Sequence, residues 1–221
     1  MRNKVILVDD HVALRSGIKN WITPPRSDFK TCIEAGCMAD CEEIFKDLAQ
    51  GKLQAEDFVA VVDISFKEVA ANGTLPSHEE NAGFSLIKKF LDFGIPSIAF
   101  SSHDSGGFVE HATSAAVGAK GFVSKNADEG ILLSALKTVA NGGTYIQAEL
   151  VSGLLEVRNI AQTFTKKERL ISDALTLYNT NADVAVALGI SEKTVVNYLT
   201  TLYDKTGVNN KLQFLERMGR I

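Results

Sequence analysis

A chain of 221 residues, 45% of them apolar and with a net charge of −4, can fill a core and is long enough for one large domain or two small ones. It has no run of about 18 apolar residues, which excludes a helical membrane span. Its three cysteines, Cys32, Cys37 and Cys41, are odd in number and clustered, the pattern of reduced structural thiols rather than of a disulfide framework or a metal site. The charge is uneven. Residues 160–221 hold eight Lys/Arg against six Asp/Glu, a net +2 that leaves −6 for the remainder. The two ends are therefore expected to meet different partners. The first residues read as a strand, with no signal-peptide pattern, so a cytoplasmic protein that does not engage a membrane is expected.

Lys4 to Val8 is a short apolar strand that runs into Asp9-Asp10. A helical pattern follows over 11–21, with Val12, Leu14, Ile18 and Ile22 turned inward and Pro24-Pro25 as its stop. Phe29 to Ala35 is a second strand. Met38 to Gln50 is a helix with Cys41, Ile44, Phe45 and Leu48 on one stripe. Phe58 to Ile64 is an apolar, largely β-branched run that ends on an acid, Asp63, the signature of a strand buried on both faces of a parallel sheet. A helix over 83–93 (Phe84, Ile87, Phe90, Leu91), a strand over 97–101, an Ala-rich helix over 108–117, a strand over 121–124 and a helix over 128–141 complete the alternation. Five strands alternating with helices specify an α/β doubly wound five-stranded parallel sheet. Eighteen residues separate Ile64 from Gly83. A connection this long is usually functional, and it starts beside Asp63.

The periodicity weakens between Gly143 and Phe164, where a linker over 144–162 is expected, with a short helix over 147–159. Thr165-Lys166-Lys167-Glu168 has the spacing of a capping box. Its helix runs to about Tyr178. A short helix over 182–188, a turn at Gly189-Ile190, a longer helix from Ser191 to about Thr206 and a last helix over 211–218 follow. Short helix, glycine turn and longer helix make a helix-turn-helix. The division is 1–143, linker 144–162, and a small all-α domain over 163–221.

Four strand ends converge on one chemistry. Strand one supplies Asp9 and Asp10, strand three Asp63, strand four Ser101, and strand five Lys125. Carboxylates gathered this closely repel one another, and a hard divalent cation such as Mg²⁺ relieves the repulsion. The set fits an aspartate nucleophile that accepts a phosphoryl group, with Lys125 stabilising the transferring charge.

These residues bring the chain to a family. VILVDDH (5–11), VVDIS (61–65), FSSHD (100–104) and GAKGFVSKNA (118–127) resemble the receiver signature of two-component response regulators. FTKKE (164–168) and GISEKTVVNYL (189–199) resemble the helix-turn-helix of the LuxR/FixJ (NarL-like) type. The resemblance implies a flavodoxin-like receiver in which Asp63 is the phospho-acceptor. It implies that Asp9, Asp10, Asp63 and the backbone carbonyl of Ser65 bind Mg²⁺, that Ser101 and Lys125 contact the phosphoryl group, and that Ser101 and Phe122 form the switch. At Ser65 and His103 it implies tuning of acyl-phosphate lifetime. The chain departs from the family in the long segment after Asp63, where a short loop is usual, so slow or partner-selective phosphorylation is expected.

In the second domain the longer helix would lie in the major groove. Lys193, Thr194, Asn197, Thr200 and Lys205 are its candidate DNA contacts, with Val195, Leu199 and Leu202 facing inward. Relatives commonly carry Lys at Val196 and His at Tyr198, so the phosphate contacts here are few. Leu212, Leu215 and Met218 resemble the family's dimer-forming element. The resulting expectation is a DNA-binding transcriptional regulator, not an enzyme. It would be phosphorylated on Asp63 by a sensor histidine kinase and would act as a homodimer. The alternative is a protein-interaction module that kept the fold with weakened or lost DNA binding. A phosphatase or phosphotransferase acting on small molecules is a third reading, and no substrate pocket is evident for it.

Overall fold

The structure is a computed structural model that describes residues 2–24, 28–66 and 82–219. The chain divides into two compact units, Met1–His103 with Ala112–Ala148, and Asp104–His111 with Glu149–Ile221. The long segment after Asp63 falls mostly at 67–81, outside the described residues.

The strands are β1 (Lys4–Val8), β2 (Thr31–Ala35), β3 (Phe58–Asp63), β4 (Ser97–Ser101), β5 (Gly121–Ser124) and β6 (Tyr145–Ile146). They form one parallel sheet in the order β2-β1-β3-β4-β5-β6. Among the described residues the sheet thus has six strands where five were expected. The sixth is two residues long, too short to leave an alternation in the sequence, and it pairs Tyr145 with Gly121 and Ile146 with Phe122. The helices of this unit are α1 (Val12–Ile22), α2 (Met38–Ala49), α3 (Ala82–Asp92) and α5 (Glu129–Ala140), while α4 (Gly106–Thr113), between β4 and β5 in the chain, groups up to His111 with the second unit.

All six residues of β3 are buried, as its unbroken apolar run requires. Side chains alternate across the sheet. Val5, Leu7, Val59, Val61, Ile98 and Phe100 join Ile18, Ile22, Leu132, Leu136 and Val139 in one core cluster. Ile6, Val8, Ala60 and Val62 are equally buried on the opposite face. One inward assignment fails. Val12 is 67% exposed, because it is the first residue of α1 and lies past the carboxyl edge of the sheet. Leu91 is exposed near the end of α3. The fourth helix closes early, at Thr113, because Gly118 turns the chain back in the left-handed region and its amide donates to the Ser114 carbonyl.

Besides most of α4, the second unit holds α6 (Val151–Gln162), α7 (Lys166–Leu177), α8 (Asn181–Leu188), α9 (Glu192–Thr206) and α10 (Lys211–Arg217). The stretch read as a linker contains β6 and α6, and Val157 of α6 is buried in the second core with Ile171, Val184, Val195, Leu202 and Phe214. Each end of the helix-turn-helix has a local chemical cause. Thr180 accepts from the Asp183 amide to start α8, Gly189 (φ +64°) ends it, and Ser191 accepts from the Thr194 amide to start α9.

The capping box of α7 is present. Glu168 accepts from the Thr165 amide at 2.6 Å, and Thr165 Oγ1 accepts from the Glu168 amide at 3.3 Å. The same buried carboxylate takes Lys205 Nζ at 2.8 Å. The hydrogen bond from Lys205 and then that from the Thr165 amide hold the Glu168 carboxyl below the usual glutamate range. A lowered folded value means this contribution is present above the ordinary carboxylate range and is lost as pH falls through the folded value. Glu168→Ala is expected to remove about 2 kcal/mol from the second unit by losing a cap and stranding Lys205. Thermal unfolding of the full chain followed by far-ultraviolet circular dichroism measures it, and an unchanged melting curve at neutral pH would contradict it.

Candidate functional site

Strand register assembles the first unit's polar residues. Val8 pairs with Val62, so Asp9 follows β1 beside Asp63, the last residue of β3. Ser101 pairs with Ser124, so Lys125 lies one step beyond β5. All therefore collect at the carboxyl edge of the sheet. Strand order reverses between β1 and β3, where open α/β sheets bind ligands.

Lys125 Nζ lies 2.8 Å from Asp9 Oδ2 and 2.8 Å from Asp63 Oδ2. Both carboxylates are fully buried, and the lysine side chain is 10% exposed. Asp63 Oδ1 accepts from the Ser65 amide at 2.9 Å. Burial pushes the Asp63 carboxyl above the usual aspartate range, and the like charge of Asp9 adds to this against the pull of Lys125. Burial on its own would lower Lys125. The hydrogen bonds and charges of Asp63 and Asp9 outweigh it and hold the ammonium above the ordinary lysine value. Lys125 therefore stays charged.

Asp10 completes the acidic group at the rim, and Asp9, Asp10, His11 and Asp63 each place one ligand atom within 4.8 Å of the others. Among the described residues, three carboxylates face one ammonium, an excess of negative charge in a largely buried place. This donor set fits a hard divalent cation. Ser101 is fully buried, and its Oγ accepts from the His103 amide at 3.0 Å. Phe122 is fully buried on β5, in register with Ala99.

Two supporting residues escaped the sequence analysis. Arg15 donates from Nη1 to the Asp9 carbonyl and from Nε to Glu34 at 3.3 Å, which ties the β1–α1 loop to β2. A basic residue five positions after the acid pair was the available signal. Gln147 is buried, and its Oε1 accepts from the Ser124 amide at 2.9 Å, fixing the end of β5 just before Lys125. Nothing in the local sequence marks Gln147, because the contact spans 23 positions. Among the described residues the cysteines join no metal-holding group. Burial pushes the Cys32 and Cys41 thiols up to about 12, which keeps them protonated, and Cys37 is exposed at the start of α2.

On α9, Val195, Leu199 and Leu202 are buried, whereas Lys193, Val196, Asn197 and Thr200 are exposed. Thr194 is half-buried and shares a 2.8 Å hydrogen bond with Ser191. Thr200 and Thr201 return their hydroxyl hydrogens to the carbonyls of Val196 and Asn197, at 3.2 Å in each case. Lys205 is drawn to Glu168 and the Thr163 carbonyl. The structure therefore gathers Lys193, Asn197 and Thr200 on one open face, with Lys205 half-buried and paired to Glu168.

Comparison with known proteins agrees with this geometry. Residues 162–217 match the model of bacterial regulatory proteins of the luxR family. The transcriptional regulatory protein UhpA of Escherichia coli (strain K12) is 31% identical over 97% of this chain and 96% of its own length. The chain belongs to the LuxR-type response regulators. DegU of Brevibacillus brevis, another transcriptional regulatory protein, is 25% identical over 95% of this chain and 90% of its own. In fold, this response regulator is similar to RcsB from Salmonella enterica serovar Typhimurium, solved bound to a promoter in the presence of a phosphomimetic. The TM-score is 0.64 at 17% identity, covering 100% of this chain and 99% of that one. Among the described residues, no helix of this response regulator is long and apolar enough to cross a membrane.

Proposed function

We propose that this response regulator is a cytoplasmic transcription factor whose DNA binding is controlled by phosphorylation of Asp63. The observation that carries the reading is the buried pairing of Lys125 with both Asp9 and Asp63 at the carboxyl edge of the sheet. An Asp63 carboxylate oxygen attacks the phosphorus of a phosphohistidine on a sensor kinase. The P–O bond forms as the P–N bond breaks, and the released imidazole nitrogen takes up a proton. Lys125 is already charged and in place to bind the phosphoryl oxygens as negative charge builds on them. The Ser65 amide holds the other oxygen of Asp63 and so orients the nucleophile. Ser101, buried beside them, offers a hydroxyl to the transferred group, and a rearrangement there bears on Phe122 through the β4–β5 pairing.

Asp9, Asp10 and Asp63, with the Ser65 carbonyl, would hold Mg²⁺. When bound, that ion neutralises the carboxylates and shares the phosphoryl charge. The 1–143 part is the receiver, and 163–221 is the DNA-binding domain, with Lys193, Thr194, Asn197 and Thr200 toward the groove. A homodimer fits paired DNA half-sites. Leu215 and Met218 are buried in the second core, which leaves Leu212, 59% exposed, as the apolar residue of α10 open to a partner.

Incubation with acetyl phosphate and Mg²⁺, followed by mass spectrometry of the intact chain and its peptides, tests the receiver reading. One phosphoryl adduct is expected, on the peptide containing Asp63, and none in Asp63→Asn. An adduct of equal yield in that variant would overturn it.

A further inference from the structure

We propose that His11 is a nitrogen ligand of the cation site, which makes the site favour first-row transition ions over Mg²⁺. The proposal rests on the reading of the acidic group as a divalent-cation site, and it adds a donor which that reading does not use.

His11 Nδ1 lies 2.8 Å from Asp10 Oδ1 and 3.3 Å from Asp9 Oδ1. An ion with bonds of about 2.1 Å holds adjacent ligands about 3 Å apart, so these separations suit neighbouring donors on one ion. The His11 amide donates to Asp9 Oδ1 at 2.8 Å, which anchors the residue's backbone at the cluster. Its ring is 67% exposed and can turn without disturbing the core, whereas Asp9 beside it is fully buried.

The inner carboxylates reinforce the argument. Asp9 Oδ2 and Asp63 Oδ2 are buried and face Lys125 as their charged neighbour. Among the described residues, one ammonium does not balance three carboxylates, so the remaining charge calls for a cation on the side where Asp10 and His11 stand. Oxygen donors alone suit Mg²⁺. An imidazole raises affinity along the first-row series toward Co²⁺ and Zn²⁺ while adding little for Mg²⁺. The inferred ligand is thus a mixed nitrogen–oxygen-bound ion of that class.

The full-length protein is titrated calorimetrically with Mg²⁺ and with Co²⁺, and the Mn²⁺-loaded protein is examined by pulsed electron paramagnetic resonance for nitrogen coupling. His11→Gln and Asp63→Asn are measured alongside. Imidazole nitrogen coupling is expected in the parent protein and not in His11→Gln. The Co²⁺ to Mg²⁺ affinity ratio should fall on the order of tenfold or more in His11→Gln. Binding of both ions with no nitrogen coupling and an unchanged ratio would remove His11 as a ligand and leave the oxygen site standing. Failure of either ion to bind, or binding that Asp63→Asn leaves unaltered, would overturn the cation-site reading together with the proposal.

Discussion

Lys125→Met is expected to destabilise the first unit by about 3–5 kcal/mol, the cost of stripping the partner from buried charges. The lysine holds Asp9 and Asp63 at 2.8 Å each, and both carboxylates are fully buried. Without it, two like charges remain at the same sheet edge with no ammonium between them. Burial already raises Asp63, and loss of Lys125 raises it further. A raised carboxyl favours the folded state while protonated. That benefit is complete below the ordinary carboxylate range and is lost as pH rises through the folded value. The deficit of Lys125→Met should therefore be largest at neutral pH and shrink as the solution is acidified. Asp63→Asn in the same chain should restore a large part of the loss by deleting one of the repelling charges. Urea unfolding of the parent, both single variants and the double variant at two pH values gives the coupling directly. Equal losses at both pH values, or no rescue by Asp63→Asn, would mean that the ion cluster does not carry the stability assigned to it.

Val196→Lys is expected to raise DNA affinity and to steepen its salt dependence, adding about 0.9 to the magnitude of the logarithmic slope for one new phosphate contact. Among the described residues, the exposed face of α9 carries Lys193 as a cation with no ion pair, since Lys205 is held by Glu168 and the Thr163 carbonyl. Val196 is 45% exposed on that face. Its isopropyl group contributes no counterion release. Lys193→Ala should do the reverse, weakening binding across sequences and flattening the slope by a similar amount. Fluorescence anisotropy at several salt concentrations measures both. A slope that Val196→Lys leaves unchanged would place this face of α9 away from the phosphate backbone.

Much of this organisation was legible because it is local. The β3 run is apolar throughout, so burial on both faces and an acid at the carboxyl end could be read without a structure. The Thr165–Glu168 box and the Ser191 cap are short-range hydrogen bonds, and both occur where their spacing places them. What stayed hidden depends on distant partners or on position relative to the sheet. Val12 fits the helical stripe of α1, yet the sheet ends before reaching it. β6 is specified by its neighbour β5 and not by its own two residues. Lys205 reads as a phosphate ligand from its place on α9, and its pairing with Glu168, 37 positions away, leaves no local trace. Asp9, Asp10, Asp63 and Lys125 were legible as a group because one rule, polar residues at the carboxyl ends of parallel strands, applies to each. Arg15 and Gln147 act through backbone groups of that cluster, and no periodicity records such contacts.

The central claim is that the acceptor at Asp63 governs what α9 does. Its most direct test is binding of the full-length protein to a pool of fragmented genomic DNA at several salt concentrations, with and without beryllofluoride and Mg²⁺. Enrichment of a defined set of fragments that strengthens with beryllofluoride, and does not do so in Asp63→Asn, is the predicted result. Weak, salt-erased and unselective binding that beryllofluoride leaves unchanged would contradict the account and favour an interaction module that has kept this fold without DNA recognition.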